Sequence, residues 1–163
     1  MTFRRDFTLS WTLDAPAPDV FRAWTDPDHL GWYYNPTFPP TEPLELDLRV
    51  GGVWRQHMVI DDETDFMTGG VYREIVPNEK LVFVWGATDG WPRIDLDDLD
   101  SGPQVTVVLD ETDGRTVMTV HVELPADLSE DEVQGWFSMG IRDGWQDTVD
   151  RLASALAAAS TAR

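Results

Sequence analysis

The side chains best suited to move a proton near neutral pH are three histidines, His29, His57 and His121. They are far apart in the chain and no cysteine accompanies them, so no local zinc signature forms and no metal site is expected. His57 and His121 fall in strand-like runs, from which either could reach a cavity as a donor or general base. Arg55, Arg73 and Glu74 also fall on strand-like runs, where they serve either as polar anchors of a pocket or as cross-strand pairs in solvent. Asp61-Asp62 and Asp97-Asp98 lack the ligand spacing of a calcium loop and read as solvated turn tips. There is no Gly-x-Ser-x-Gly elbow, no phosphate-binding glycine loop and no dinucleotide fingerprint, so no catalytic residue and no cofactor is assigned.

The elements that must position these groups belong to a chain of 163 residues, the length of one domain. Thirty acidic residues against twelve basic ones leave a net charge of -18, which repels phosphate backbones and anionic lipid head groups. Nucleic acid and membrane surfaces are therefore not expected partners. The absence of cysteine excludes disulfides and thiolate chemistry, and neither a signal-peptide core nor a membrane-length apolar run is present. A cytoplasmic location is the expectation.

Apolar and polar residues alternate from Phe3 to Leu13, with Phe3, Phe7, Leu9, Trp11 and Leu13 on one side of a half-buried strand. Pro16 opens a short helix to Thr25, carrying Val20, Phe21 and Trp24 at helical spacing, and Asp26-Pro27 starts a second short turn through Leu30. Residues 31–43 hold four prolines and four aromatics and form a loop. Strands are expected at Leu44 to Arg49, Val53 to Ile60, Phe66 to Val76 and Lys80 to Gly86, joined by short polar turns that make them antiparallel neighbours. The acidic stretch 87–102 reads as a flexible loop. Gln104 to Asp110 and Thr116 to Glu123 complete seven strands.

Ser129 and Glu132 have the spacing of a capping box. From there one long helix is expected, its stripe drawn by Val133, Phe137, Ile141, Trp145, Thr148, Leu152 and Leu156. Gly135, Gly140 and Gly144 each cost this helix about 1 kcal/mol against alanine. Either the sheet approaches the helix backbone closely at these positions, or the missing side chains leave room for something else. Eight tryptophans add a hint, since large rings can line a void without filling it. Two to four of Trp11, Trp24, Trp54, Trp85, Trp136 and Trp145 are expected to touch a pocket.

Several blocks occur in a distinctive order: Ala15-Pro16, Val20-Phe21-Arg22-Ala23-Trp24-Thr25-Asp26-Pro27, Trp32 with Pro36, Arg49-Val50-Gly51-Gly52 and Gly70-Val71-Tyr72-Arg73-Glu74-Ile75-Val76-Pro77. Leu81-Val82-Phe83, Val105-Thr106-Val107, Thr116-Val117-Met118-Thr119 and Gly144-Trp145 follow. Over nearly its whole length the chain resembles the family of homologues of the activator of heat-shock-protein-90 ATPase, within the START-like superfamily of the birch-pollen allergen and polyketide cyclases. The resemblance implies a single α+β domain of the helix-grip fold, a bent antiparallel sheet around a long C-terminal helix with a cavity between them. It does not imply a reaction. Tyr33-Tyr34-Asn35 replaces a common tryptophan and glycine of the family, and the 87–102 insertion is long; both lie at the expected pocket mouth.

The candidate ligand-binding residues are Trp11, Trp24, Trp32, Tyr33, Trp54, Gln56, Met58, Tyr72, Trp85, His121, Trp136, Gly140 and Gly144. The leading function is binding of a small hydrophobic molecule without catalysis. One alternative is a cyclase or aromatase, which requires His57, His121, Glu74 or Tyr72 inside the cavity. A second is a co-chaperone-like interaction module, suggested by the family name alone. The protein is expected to be a monomer, or a homodimer through the aromatics near residues 31–38.

Overall fold

The computed structural model describes residues 4–34 and 37–161, with side chains to residue 157; Phe3, Asn35 and Pro36 lie outside the described residues. Seven antiparallel strands form one open sheet: β1 (Asp6–Leu13), β2 (Glu45–Leu46), β3 (Val53–Val59), β4 (Asp65–Val76), β5 (Lys80–Trp85), β6 (Gln104–Thr112) and β7 (Arg115–Glu123). Their order across the sheet is β1-β7-β6-β5-β4-β3-β2, so β1 crosses over to pair with β7, with Leu9 opposite Val120. The helices are α1 (Ala17–Thr25), α2 (Glu130–Ser138) and α3 (Ile141–Thr161).

Strand alternation decides which side chains meet. Phe7 and Leu9 of β1, Phe83 and Trp85 of β5, Val105 and Val107 of β6, and Val120 and Val122 of β7 are buried in one cluster with Val149 and Leu152 of α3. This inner face and the apolar stripe of α3 supply the burial that neither element has alone. Val149 rather than Thr148 carries the stripe into the core; Thr148 is half-buried beside it.

Three expectations are corrected. The strand expected over residues 44–49 is reduced to Glu45–Leu46, because the chain turns where Asp47 N–H donates to Val53 O at 3.0 Å and Gly52 N–H to Arg49 O at 2.8 Å. The single C-terminal helix is two. Ser129 and Glu132 do form the capping box of α2, but Gly140, at φ 83°, takes the left-handed conformation and ends that helix before α3 begins. The acidic insertion is packed rather than loose. Ile94 is buried against Val71 and Val84 on the outer face of the sheet. Arg55 pairs with Asp89, Arg73 Nη1 donates to Asp100 Oδ1 at 2.9 Å, and Trp91 N–H donates to Met67 O at 2.8 Å. Cross-strand arginines thus recruit the insertion's carboxylates, a pairing invisible to local sequence pattern.

The helical glycines are not sites of close sheet approach: a Cβ at Gly135, Gly140 or Gly144 would meet nothing within 4 Å. Gly135→Ala and Gly144→Ala should each stabilise the protein by about 1 kcal/mol, the helix-propensity difference. Gly140→Ala should destabilise it by about 1 kcal/mol, because alanine is strained in the left-handed region. Urea denaturation of the three variants checks both signs. On the outer face His121 Nε2 and Asp6 Oδ2 lie 2.9 Å apart, and chiefly this hydrogen bond holds the Asp6 carboxyl below its ordinary pKa. A depressed carboxylate pKa adds stability that is present above the unfolded-state value, near 4, and lost as pH falls through the folded one. His121→Ala should therefore raise the Asp6 pKa towards its ordinary value in an NMR titration and remove that part of the acid dependence of stability.

Candidate functional site

A cavity of about 260 Å³ lies between β3, β4 and β5, the insertion and the start of α3. Its walls are Tyr33, Met58, Phe66, Thr68, Trp85, Ile141, Gly144, Trp145 and Thr148, with Ile60, Trp91, Met139 and Gly140 completing the lining. Ile60, Trp91 and Met139 are exposed large apolar side chains, contributed by the β3–β4 turn, the insertion and the α2–α3 break. Three separate elements thus place an apolar residue at one opening.

The interior is built from rings in edge contact. Trp85 meets Trp145 at 5.2 Å and Trp91 at 5.3 Å between centroids, Tyr33 meets Trp145 at 6.2 Å, and Trp91 stacks on Trp136 at 5.9 Å. Tyr33 is positioned from α3: Arg151 Nη2 donates to Tyr33 O and Nε to Trp32 O, both at 2.8 Å, and burial pulls the Arg151 guanidinium below its ordinary pKa. The space itself comes from Gly140 at the α2–α3 break and Gly144 in the first turn of α3, where the backbone carries no side chain into it.

No lining residue is an aspartate, glutamate, lysine, arginine or histidine, and Tyr33 is the one titratable side chain among them. Burial raises the Tyr33 pKa against the opposing pull of Thr68 and Trp85, so its hydroxyl stays protonated at neutral pH. Trp145 Nε1 is buried with no hydrogen-bond partner among the described residues, and Thr68 Oγ1 is buried beside the Tyr33 hydroxyl with none in hydrogen-bond geometry. Such groups are rare in folded proteins and costly to leave unmade.

Of the residues singled out from sequence, the structure brings Tyr33, Met58, Trp85, Gly140 and Gly144 to the cavity, and Trp136 to its edge against Trp85 at 6.3 Å and Trp91. Two of the six tryptophans expected near a pocket, Trp85 and Trp145, line it. Trp11, Trp24, Trp32 and Trp54 are structural. Trp24 Nε1–H donates to Met118 Sδ at 3.3 Å, Trp32 Nε1–H to Ala23 O at 2.8 Å, and Trp54 Nε1–H to Gln56 Oε1 at 3.3 Å, all in the core. Trp11 Nε1–H fastens β1 to α3 through Asp150 Oδ1 at 2.8 Å. Tyr72 is buried beside Phe83, its hydroxyl unpartnered but outside the cavity lining.

Neither strand histidine reaches the cavity. His57 is buried under the loop before β2, accepting from Thr41 N–H at Nδ1 and lying 2.7 Å from Asp65 Oδ2 at Nε2. That acceptor role puts the proton on Nε2. His121 lies with Asp6 and Glu123 on the outer side of β1 and β7, their ligand atoms within 4.8 Å of one another. Arg4 stands 3.7 Å from Asp6, so a cation already shares this cluster. Sequence reading missed Ile60, Phe66, Thr68, Trp91, Met139, Ile141 and Thr148 as lining residues, and named Trp145 only among the tryptophans expected near a pocket. For Trp145 the Gly144-Trp145 pair was the available signal; for Trp91 there was none, since the insertion's fold carries it to the opening. A second cleft of about 200 Å³ between α1 and the end of α3 has Asp14, Asp19, Arg22 and His29 among its lining, and no unpartnered buried group.

No helix of the described residues is long and apolar enough to cross a membrane. The chain is similar to solved structures over almost its full length. Protein CV1439 from Chromobacterium violaceum is 24% identical over 93% of this chain and 96% of its own, with a TM-score of 0.66. Ms6760 from Mycobacterium smegmatis is 21% identical over 93% and 90%, with a TM-score of 0.74. NE0264 from Nitrosomonas europaea is 21% identical over all of both chains, with a TM-score of 0.73. These likenesses carry the START-like helix-grip fold. Among curated proteins no relative matches. The model of the family described as Activator of Hsp90 ATPase homolog 1-like protein matches residues 14–157, and the chain belongs to that family.

Proposed function

We propose that this protein binds a small hydrophobic molecule in the cavity between β3, β4, β5 and α3. The observation that carries the reading is the lining itself: rigid rings around a space that the glycines of the α2–α3 junction leave unfilled. About 260 Å³ lies just under the range of typical ligand pockets, so the occupant is compact. The apolar rim of Ile60, Trp91 and Met139 gives such a molecule a hydrophobic approach.

A cyclase-type reaction would need a proton-moving group at the cavity. His57 and His121 are committed to carboxylates on the outer face, and Glu74 pairs with Lys80 at 3.0 Å. Tyr33 remains, and a phenol whose pKa is raised by burial donates a hydrogen bond rather than accepting a proton. The geometry therefore favours binding. DynU16, from the dynemicin biosynthetic locus, is 21% identical over 94% of this chain and 48% of its own, with a TM-score of 0.64. That likeness extends to the fold.

Isothermal titration with 2-ethylnaphthalene tests the proposal. Wild-type protein should bind it saturably. Gly144→Leu, which places a leucine where the structure has open space, should weaken binding more than tenfold with helix content unchanged in circular dichroism. Equal affinity of the variant would place the ligand elsewhere and sink the proposal.

A further inference from the structure

We infer that the molecule this cavity takes is uncharged and ring-bearing, and that it presents a hydrogen-bond acceptor, such as a carbonyl oxygen, to Trp145 Nε1–H and Thr68 Oγ1–H. The inference rests on the binding reading above and goes beyond it to the ligand's chemistry. Trp145 is 4% exposed and Thr68 2%, and both line the cavity. Among the described residues Trp145 Nε1 lacks a partner, and Thr68 Oγ1 has the Tyr33 hydroxyl beside it but none in hydrogen-bond geometry. Both are shut off from solvent, so an acceptor that presses in between the rings meets a donor left unmade at Trp145 and a second it can recruit at Thr68.

The polarity of the partner follows from donor chemistry. An indole N–H only donates, and a threonine hydroxyl can do so, so the group that serves both is an acceptor. A carboxylate also accepts, but it would enter a protein of net charge -18 past the turn Asp61-Asp62-Glu63, next to Ile60 of the rim, with no cation in the lining to hold it. A quaternary ammonium suits the charge and the ring faces but offers nothing to an unpaired N–H. Two fused rings with one oxygen-bearing substituent match the compact volume and the edge-to-face walls.

Four naphthalenes differing in one substituent separate these possibilities by calorimetry: 2-acetylnaphthalene, 2-ethylnaphthalene, 2-naphthoate and 2-naphthyltrimethylammonium. The ratio of the ethyl to the acetyl Kd should fall about tenfold in the Thr68→Val/Trp145→Phe double variant, while the ethyl compound still binds. Thr68→Val alone keeps the shape and removes a buried unsatisfied hydroxyl, so it should raise the urea midpoint of the free protein and lower the same ratio. An unchanged ratio in both variants, or tightest binding of the naphthoate or the ammonium, would overturn this inference and leave the cavity a binding site. Absence of binding by all four would overturn the binding reading with it.

Discussion

A relay of aromatic rings in edge contact is the constraint on which the rest of the structure depends. It runs from Trp24 to Trp32 at 4.8 Å, on to Tyr33 at 5.5 Å, and from Tyr33 to both Trp54 at 4.8 Å and Trp145 at 6.2 Å. Trp85 continues it to Trp91. The relay ties α1, the proline-rich loop, the sheet, α3 and the insertion into one body. Rings have two side-chain torsions and little freedom once packed edge to face. They cannot collapse into the gap beside Gly140 and Gly144, so the gap persists as a cavity.

Charge is sorted by the same sheet. Strand alternation, with a bulge in β4 between Tyr72 and Glu74 that lets neighbouring Arg73 and Glu74 share a side, sends Arg55, His57, Arg73, Glu74 and His121 to the outer face, where each finds a carboxylate or an ammonium, and leaves the inner face to rings and aliphatics. The outer pairs are exposed in part and individually weak. Two of them nonetheless hold the insertion: Arg55 to Asp89 and Arg73 to Asp100 lay residues 87–102 across Val71 and Val84 and bring Trp91 round to the opening. A surface network thereby shapes an apolar site that none of its charges touches.

Sequence by itself determined the seven strands, the placement of the helical segments, the capping box at Ser129 and Glu132, and the family. These are local or periodic features: alternation, turn residues and caps act within a few positions of themselves. It also pointed to Tyr33, Met58, Trp85, Gly140 and Gly144, because unusual residue types at structured positions ask for a reason. Tertiary structure alone decided that Trp24, Trp32 and Trp54 are core while Trp85 and Trp145 line the cavity, since the local sequence around each ring does not say what stands opposite it. It decided that the insertion is packed, through arginines on distant strands, and that Gly140 breaks the helix rather than accommodating the sheet. The eight tryptophans raised the expectation of a cavity, but whether a ring lines a space or fills it is a property of its neighbours, and those are assembled only by the fold.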